Sequence, residues 1–127
     1  MSESSGQTNF VMCFVDALRG IGSVFKSERN FRIHMAAALA VVVLGVVLKS
    51  SAGEWLAIIL CIGFVLVAEV LNTAIEYLAD VVHPEMDPGI RRAKDAAAGG
   101  VLIASVAAAS VGAIVYLPKL WELLSKI

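Results

Sequence analysis

The chain has 127 residues, 59% of them hydrophobic, with a formal net charge of -1 and a mean hydropathy of +0.84. An average soluble domain is about half apolar, so this composition points to a membrane protein with one small domain and gives no sign of a nucleic-acid partner. Cys13 and Cys61 lie in unlike surroundings, so neither a disulfide framework nor a metal-ligand spacing is visible.

In chain order, residues 1–9 are polar without a basic n-region, and no long apolar h-region follows, so a cleaved signal peptide is not expected. Residues 10–27 then place Phe14, Leu18, Ile21 and Phe25 on one helical stripe, with Asp16, Arg19, Ser23 and Lys26 off it. Such a pattern suits a helix lying on the membrane surface. Three apolar stretches follow, predicting transmembrane helices over 30–49, 54–80 and 94–117. The first carries IHMAAALAVVVLGVVL; the second opens on WLAIILCIGFVLVA; the third carries AAAGGVLIASVAAASVGAIVYL and is expected to close at Pro118. KSSAGE joins the first two, and VVHPEMDPGIRR, with two prolines, reads as the sole long connection. The fold class is therefore all-α integral membrane, a surface helix plus three spans.

Basic residues set the orientation. With a cytoplasmic N-terminus, Arg19, Lys26, Arg29, Arg32, Arg91, Arg92 and Lys94 fall inside, and Lys49, Lys119 and Lys126 outside. That division satisfies the positive-inside tendency, and it places Trp55, Tyr116 and Trp121 near the outer interface.

The second span ends in EVLNTAIEYLAD, which puts Glu69, Asn72, Thr73, Glu76 and Asp80 on one helical face. Asn72 and Thr73 are explicable as interhelical hydrogen bonders. Two carboxylates without a cation at i+3 or i+4 are not, because each is expensive to bury unpaired, and intramembrane ionisable groups usually mark functional sites. Asp80, at a helix end beside water, needs no such reason. Glu28, Lys94 and Asp95 reach the same cytoplasmic level as Glu76. Carboxylates gathered without matching cations suit Mg²⁺, which keeps some waters and bridges to nucleotide phosphates. Lys94 and free N–H groups of the third span are then expected to receive those phosphates, although an i,i+4 pair with Arg32 is the structural alternative for Glu28.

EVLNTAIEYLAD resembles the signature of the prokaryotic diacylglycerol kinase family, which also contains the undecaprenol kinases. ERNFRIH at 28–34 and AKDAAAGGVL at 93–102 resemble its two other recurrent blocks, in the same order and spacing. The resemblance implies a homotrimeric inner-membrane kinase that moves the γ-phosphoryl group of MgATP onto a membrane lipid alcohol. By the same resemblance Glu69 is the general base, Glu28 and Glu76 are metal-binding and nucleotide-binding carboxylates, Asn72 shapes the site, and Lys94 and Asp95 bind the nucleotide. His34 stands where enterobacterial members carry an acidic residue, and the FRIH form resembles the undecaprenol-kinase branch, so undecaprenol is favoured over diacylglycerol. No GxxxxGK[ST] and no HRD or DFG set occurs. An ion-translocating subunit or a non-catalytic adaptor is the competing class, but neither gives a reason for Glu28, Lys94 and Asp95 at one interface.

Overall fold

The computed structural model describes residues 9–85 and 87–127, so residues 1–8, on which most of the signal-peptide reading rests, lie outside it. The described residues form four helices and no strand: α1 (Phe10–Ser27), α2 (Arg29–Val47), α3 (Ala52–Val82) and α4 (Pro88–Leu124). The last three are each long and apolar enough to cross a membrane. The chain is thus a multi-pass membrane protein.

Local chemistry sets the helix boundaries. Asn9 caps α1, its side chain accepting from the Val11 N–H. Glu28, with extended backbone at φ -102° and ψ 114°, is both the last cap of α1 and the first of α2, so α1 gives way to α2 at a single residue. Across the break the Arg32 guanidinium donates to the Phe25 and Lys26 carbonyls at 2.9 and 3.0 Å, satisfying acceptors that the end of α1 leaves free. Arg32 therefore does not pair with Glu28.

The end of α2 is a Schellman motif. Lys49 adopts φ 51°, and the Ser50 N–H reaches back to the Gly45 carbonyl at 2.9 Å. At the next residue Ser51 begins a capping box with Glu54 on α3. Lys119 of α4 joins both ends, donating to Glu54 Oε2 at 2.6 Å and to the Leu48 carbonyl at 3.5 Å.

Helix α4 begins earlier and ends later than its apolar stretch suggests. Residues 88–92, expected to belong to a long connection, are part of its first two turns, because Asp87 accepts from the Gly89 and Ile90 N–H groups at 2.7 and 3.2 Å and Pro88 suits the first helical position. The Ile90 and Gly89 N–H groups also hold the Asp87 carboxyl below the usual carboxylate range. Pro118 does not end the helix. It removes one backbone donor, but Tyr116 and Lys119 on either side are fixed to α2 and α3, and these contacts carry α4 to Leu124.

The interior is sparse. Val24, Phe31, Ile58, Val65, Ala79, Ala104 and Tyr116 are buried, while Leu56, Ile59, Leu60, Phe64, Val67 and Leu71 of α3 are exposed, as are Phe14, Leu18, Ile21 and Phe25 of α1. Large apolar side chains on the outside are normal where the solvent is hydrocarbon. Helix α3 packs mainly on α4 and also on α2. Of the three aromatics expected at the outer interface only Trp121 is exposed. Tyr116 is buried and donates to the Val41 carbonyl at 3.1 Å, and with Trp55 it closes over Gly45. A Cβ on Gly45 would meet Trp55 Cη2 at 2.8 Å and the Tyr116 hydroxyl at 2.9 Å. Gly45→Ala should therefore destabilise the folded protein by about 1–3 kcal/mol, as overpacking does. Gly63→Ala, where a Cβ meets nothing within 4 Å, should not; thermal unfolding in one lipid or detergent checks both.

Candidate active site

Glu69 is the deepest charged group of α3. It is 3% exposed, within a helix of 31 residues, or about 46 Å, against a hydrocarbon core of about 30 Å. His34 of α2 places Nε2 3.1 Å from Glu69 Oε1, without the alignment of a hydrogen bond, so Oε1 is a buried acceptor with no hydrogen-bond partner. No lysine or arginine pairs with it among the described residues. Helix α2 brings His34 there because Glu28 starts the helix and His34 follows at helical spacing, on the side that faces α3.

The rest of the stripe is organised within α3 rather than between helices. Asn72 Nδ2 donates to Glu76 Oε1 at 3.1 Å, and the buried Thr73 hydroxyl donates to the Glu69 carbonyl at 3.0 Å. The interhelical role expected for these two is thus not what the structure shows. A back-bond one turn away satisfies Thr73 inside its own helix, and Asn72 reaches the Glu76 carboxylate one turn further along the same helix. The Asn72 amide oxygen is left buried without a partner.

Glu76 is half-buried, seven residues and about 10 Å along the axis from Glu69 towards the end of α3. Glu28, also half-buried, sits at the α1–α2 break. Neither has a cationic partner among the described residues; Glu28 accepts from the Ser27 hydroxyl at 3.1 Å. No group of three or more described His, Cys, Asp or Glu side chains could hold a metal by itself. Mg²⁺ asks for less, because one or two carboxylates suffice when phosphates and water complete the octahedron. Glu28 and Glu76, oxygen donors free of competing cations, fit it.

Lys94 and Asp95 are placed differently from the sequence expectation. Lys94 lies within α4, not at its start, and donates to Asp80 Oδ1 at 2.9 Å. The N–H groups at the start of α4 are not free for phosphate, since Asp87 takes the first of them. The carboxylate of Asp80, which needed no special reason in the sequence, thus holds the one lysine at this level. Asp95 is exposed and forms no ion pair among the described residues. The fold of the chain therefore gathers Glu28, His34, Glu69, Asn72 and Glu76, pairs Lys94 with Asp80, and leaves Asp95 without an ion pair among the described residues.

Between α2, α3 and α4 runs a cavity of about 410 Å³, lined by His34, Ala38, Val41, Val65, Ser105 and Tyr116 among others. Its wall is almost entirely apolar, and His34 at one end adjoins Glu69. Cys61 also lines it, and both cysteines are free.

Comparison with known proteins adds a family. The family model described as Prokaryotic diacylglycerol kinase matches residues 15–116. The chain is 43% identical over 111 residues to the undecaprenol kinase of Bacillus subtilis, covering 87% of this chain and 90% of that protein. It is 35% identical over 117 residues to a diacylglycerol kinase of Synechocystis sp., covering 91% and 67% respectively. To the diacylglycerol kinase of Escherichia coli it is 29% identical over 107 residues, covering 84% and 88%.

Proposed function

This chain belongs to the prokaryotic diacylglycerol kinase family, and we propose that it transfers the γ-phosphoryl group of MgATP to the hydroxyl of a membrane lipid alcohol, undecaprenol in preference to diacylglycerol. The observation that carries the reading is the buried Glu69 carboxylate, its Oε1 without a hydrogen-bond partner, held two turns deeper than two carboxylates that no cation neutralises. Phosphoryl transfer needs positioning and charge stabilisation more than covalent machinery, which suits so small a site.

Glu69 Oε1 accepts the proton of the lipid hydroxyl as that oxygen attacks the γ-phosphorus; the bond from the γ-phosphorus to its bridging oxygen breaks, and ADP leaves. His34, 3.1 Å away, stands beside the base and stabilises it as an anion when protonated. Glu28 and Glu76 would hold Mg²⁺, which would supply neutralisation of charge on the nucleotide phosphates. Asn72 keeps Glu76 in place. Lys94 meets the phosphates by exchanging Asp80 for them, which its partly exposed ammonium permits. The apolar cavity beside His34 takes part of the lipid tail and leaves the hydroxyl at Glu69.

The preference for undecaprenol rests on the FRIH segment and on the 43% identity to a protein named undecaprenol kinase, against 35% and 29% for two named diacylglycerol kinases. Purified protein in lipid vesicles with γ-labelled ATP and Mg²⁺ should label undecaprenol faster than diacylglycerol at equal mole fraction. Faster labelling of diacylglycerol would reverse the preference, and no labelled lipid from either would refute the kinase reading.

The site faces the cytoplasm and is completed in a homotrimer in the inner membrane. Support comes from the seven basic residues assigned to that side, the wide apolar faces left on α3 and α4, and Asp95, which forms no ion pair among the described residues. Trimers mixed from Glu69→Gln and Asp95→Asn subunits should recover part of the wild-type activity when cross-linking shows co-assembly. Recovery no greater than the sum of the two inactive parents would place the whole site within one subunit.

A further inference from the structure

Glu28 is aimed by neighbours that the sequence reading did not single out. It stands at a one-residue break between two helices, directly after Ser27, the last residue of α1. Ser27 Oγ lies 3.1 Å from Glu28 Oε1 and, more weakly placed, 3.5 Å from the Val24 carbonyl. A serine hydroxyl has a single proton, and an ionised carboxylate at the shorter distance is the stronger acceptor, so that proton goes to Glu28. The Tyr77 hydroxyl of α3 is in hydrogen-bond contact with the same Ser27 Oγ. With the Ser27 proton committed, Tyr77 must be the donor. The hydroxyls thus run in one direction, Tyr77 to Ser27 to the Glu28 carboxylate.

Tyr77 directly follows Glu76 on α3, and Ser27 directly precedes Glu28. One hydrogen bond between residues fifty positions apart therefore ties the two uncompensated carboxylates to each other across the α1–α3 contact. The alternative restraint, Arg32, is taken by the Phe25 and Lys26 carbonyls, which leaves Glu28 oriented by hydroxyls alone and its negative charge intact. We propose that Tyr77 and Ser27 are positioning residues that set the separation of Glu28 and Glu76 for a divalent cation. This rests on the assignment of those two glutamates as cation ligands. Partners of ligating groups typically change metal affinity or activity by about 10- to 100-fold when removed.

The test uses Mn²⁺ as a paramagnetic probe, its binding followed by electron paramagnetic resonance on full-length protein in lipid with a non-hydrolysable ATP analogue. Tyr77→Phe, which keeps the ring, and Ser27→Ala should each weaken Mn²⁺ binding about tenfold. They should raise the Mg²⁺ concentration for half-maximal activity in parallel. The double variant should be no weaker than the worse single, since both break one chain, and Ser27→Thr should restore binding because it keeps the hydroxyl. Wild-type Mn²⁺ binding in Tyr77→Phe and Ser27→Ala, beside a weakened Glu28→Gln, would overturn the positioning role while leaving the ligand assignment standing. Wild-type binding in Glu28→Gln would remove that assignment and this inference with it. Lower thermal stability with unchanged binding would reduce the hydroxyls to a structural tie.

Discussion

A carboxylate inside an apolar helix is the constraint on which the structure depends. Glu69 stands within a segment whose preceding fourteen residues carry no charge, and it is 3% exposed. An unpaired charge in such surroundings is costly and must be shielded from lipid, hydrogen-bonded or solvated through a cavity. Helices α2 and α4 provide the shielding by packing on α3, and His34 is the one titratable side chain that α2 brings within 4 Å of the carboxylate. No described residue gives Oε1 a hydrogen bond, so the cost of burial persists in the resting protein. Persistence of that cost suits a proton acceptor waiting for a substrate hydroxyl, whereas a purely structural residue would more economically be Gln or Leu.

The groups at the Glu28–Glu76 end keep charge near that carboxylate without quenching it. Arg32 is drawn to the carbonyls of α1, Lys94 is held by Asp80, and Glu76 receives an amide rather than a cation. At the other end the logic is reversed. Lys119, Glu54 and the Leu48 carbonyl neutralise one another, and Gly45, Trp55 and Tyr116 close the helices tightly. The molecule is thus clamped at one end and electrostatically unfinished at the other.

The three spans and the surface helix were legible because hydrophobic length and helical periodicity are local signals, and the stripe from Glu69 to Asp80 was legible because its spacing is. What was missed came from longer range. Two prolines made residues 84–92 read as a loop, although Asp87 with Pro88 is also a helix start, and Pro118 read as a stop although contacts from Tyr116 and Lys119 override it. The expected i,i+4 and interhelical partners of Glu28 and Thr73 were replaced by better ones: a hydroxyl next in sequence for Glu28, and a carbonyl one turn back for Thr73. Contacts of His34 with Glu69 and of Ser27 with Tyr77 join residues 35 and 50 positions apart, which no periodicity encodes. A cue existed for the second pair, since each hydroxyl adjoins a site glutamate in the sequence.

The central claim is that the unpartnered oxygen of Glu69 takes the proton of the attacking alcohol. Glu69→Gln keeps the shape and removes the base, so its turnover number at saturating MgATP and lipid alcohol is the most direct test. General base catalysis contributes about 10² to 10⁴ in rate, and kcat should fall within that range while assembly and Mn²⁺ binding stay near wild type. A Glu69→Gln protein, correctly assembled, that turns over at the wild-type kcat would contradict the account.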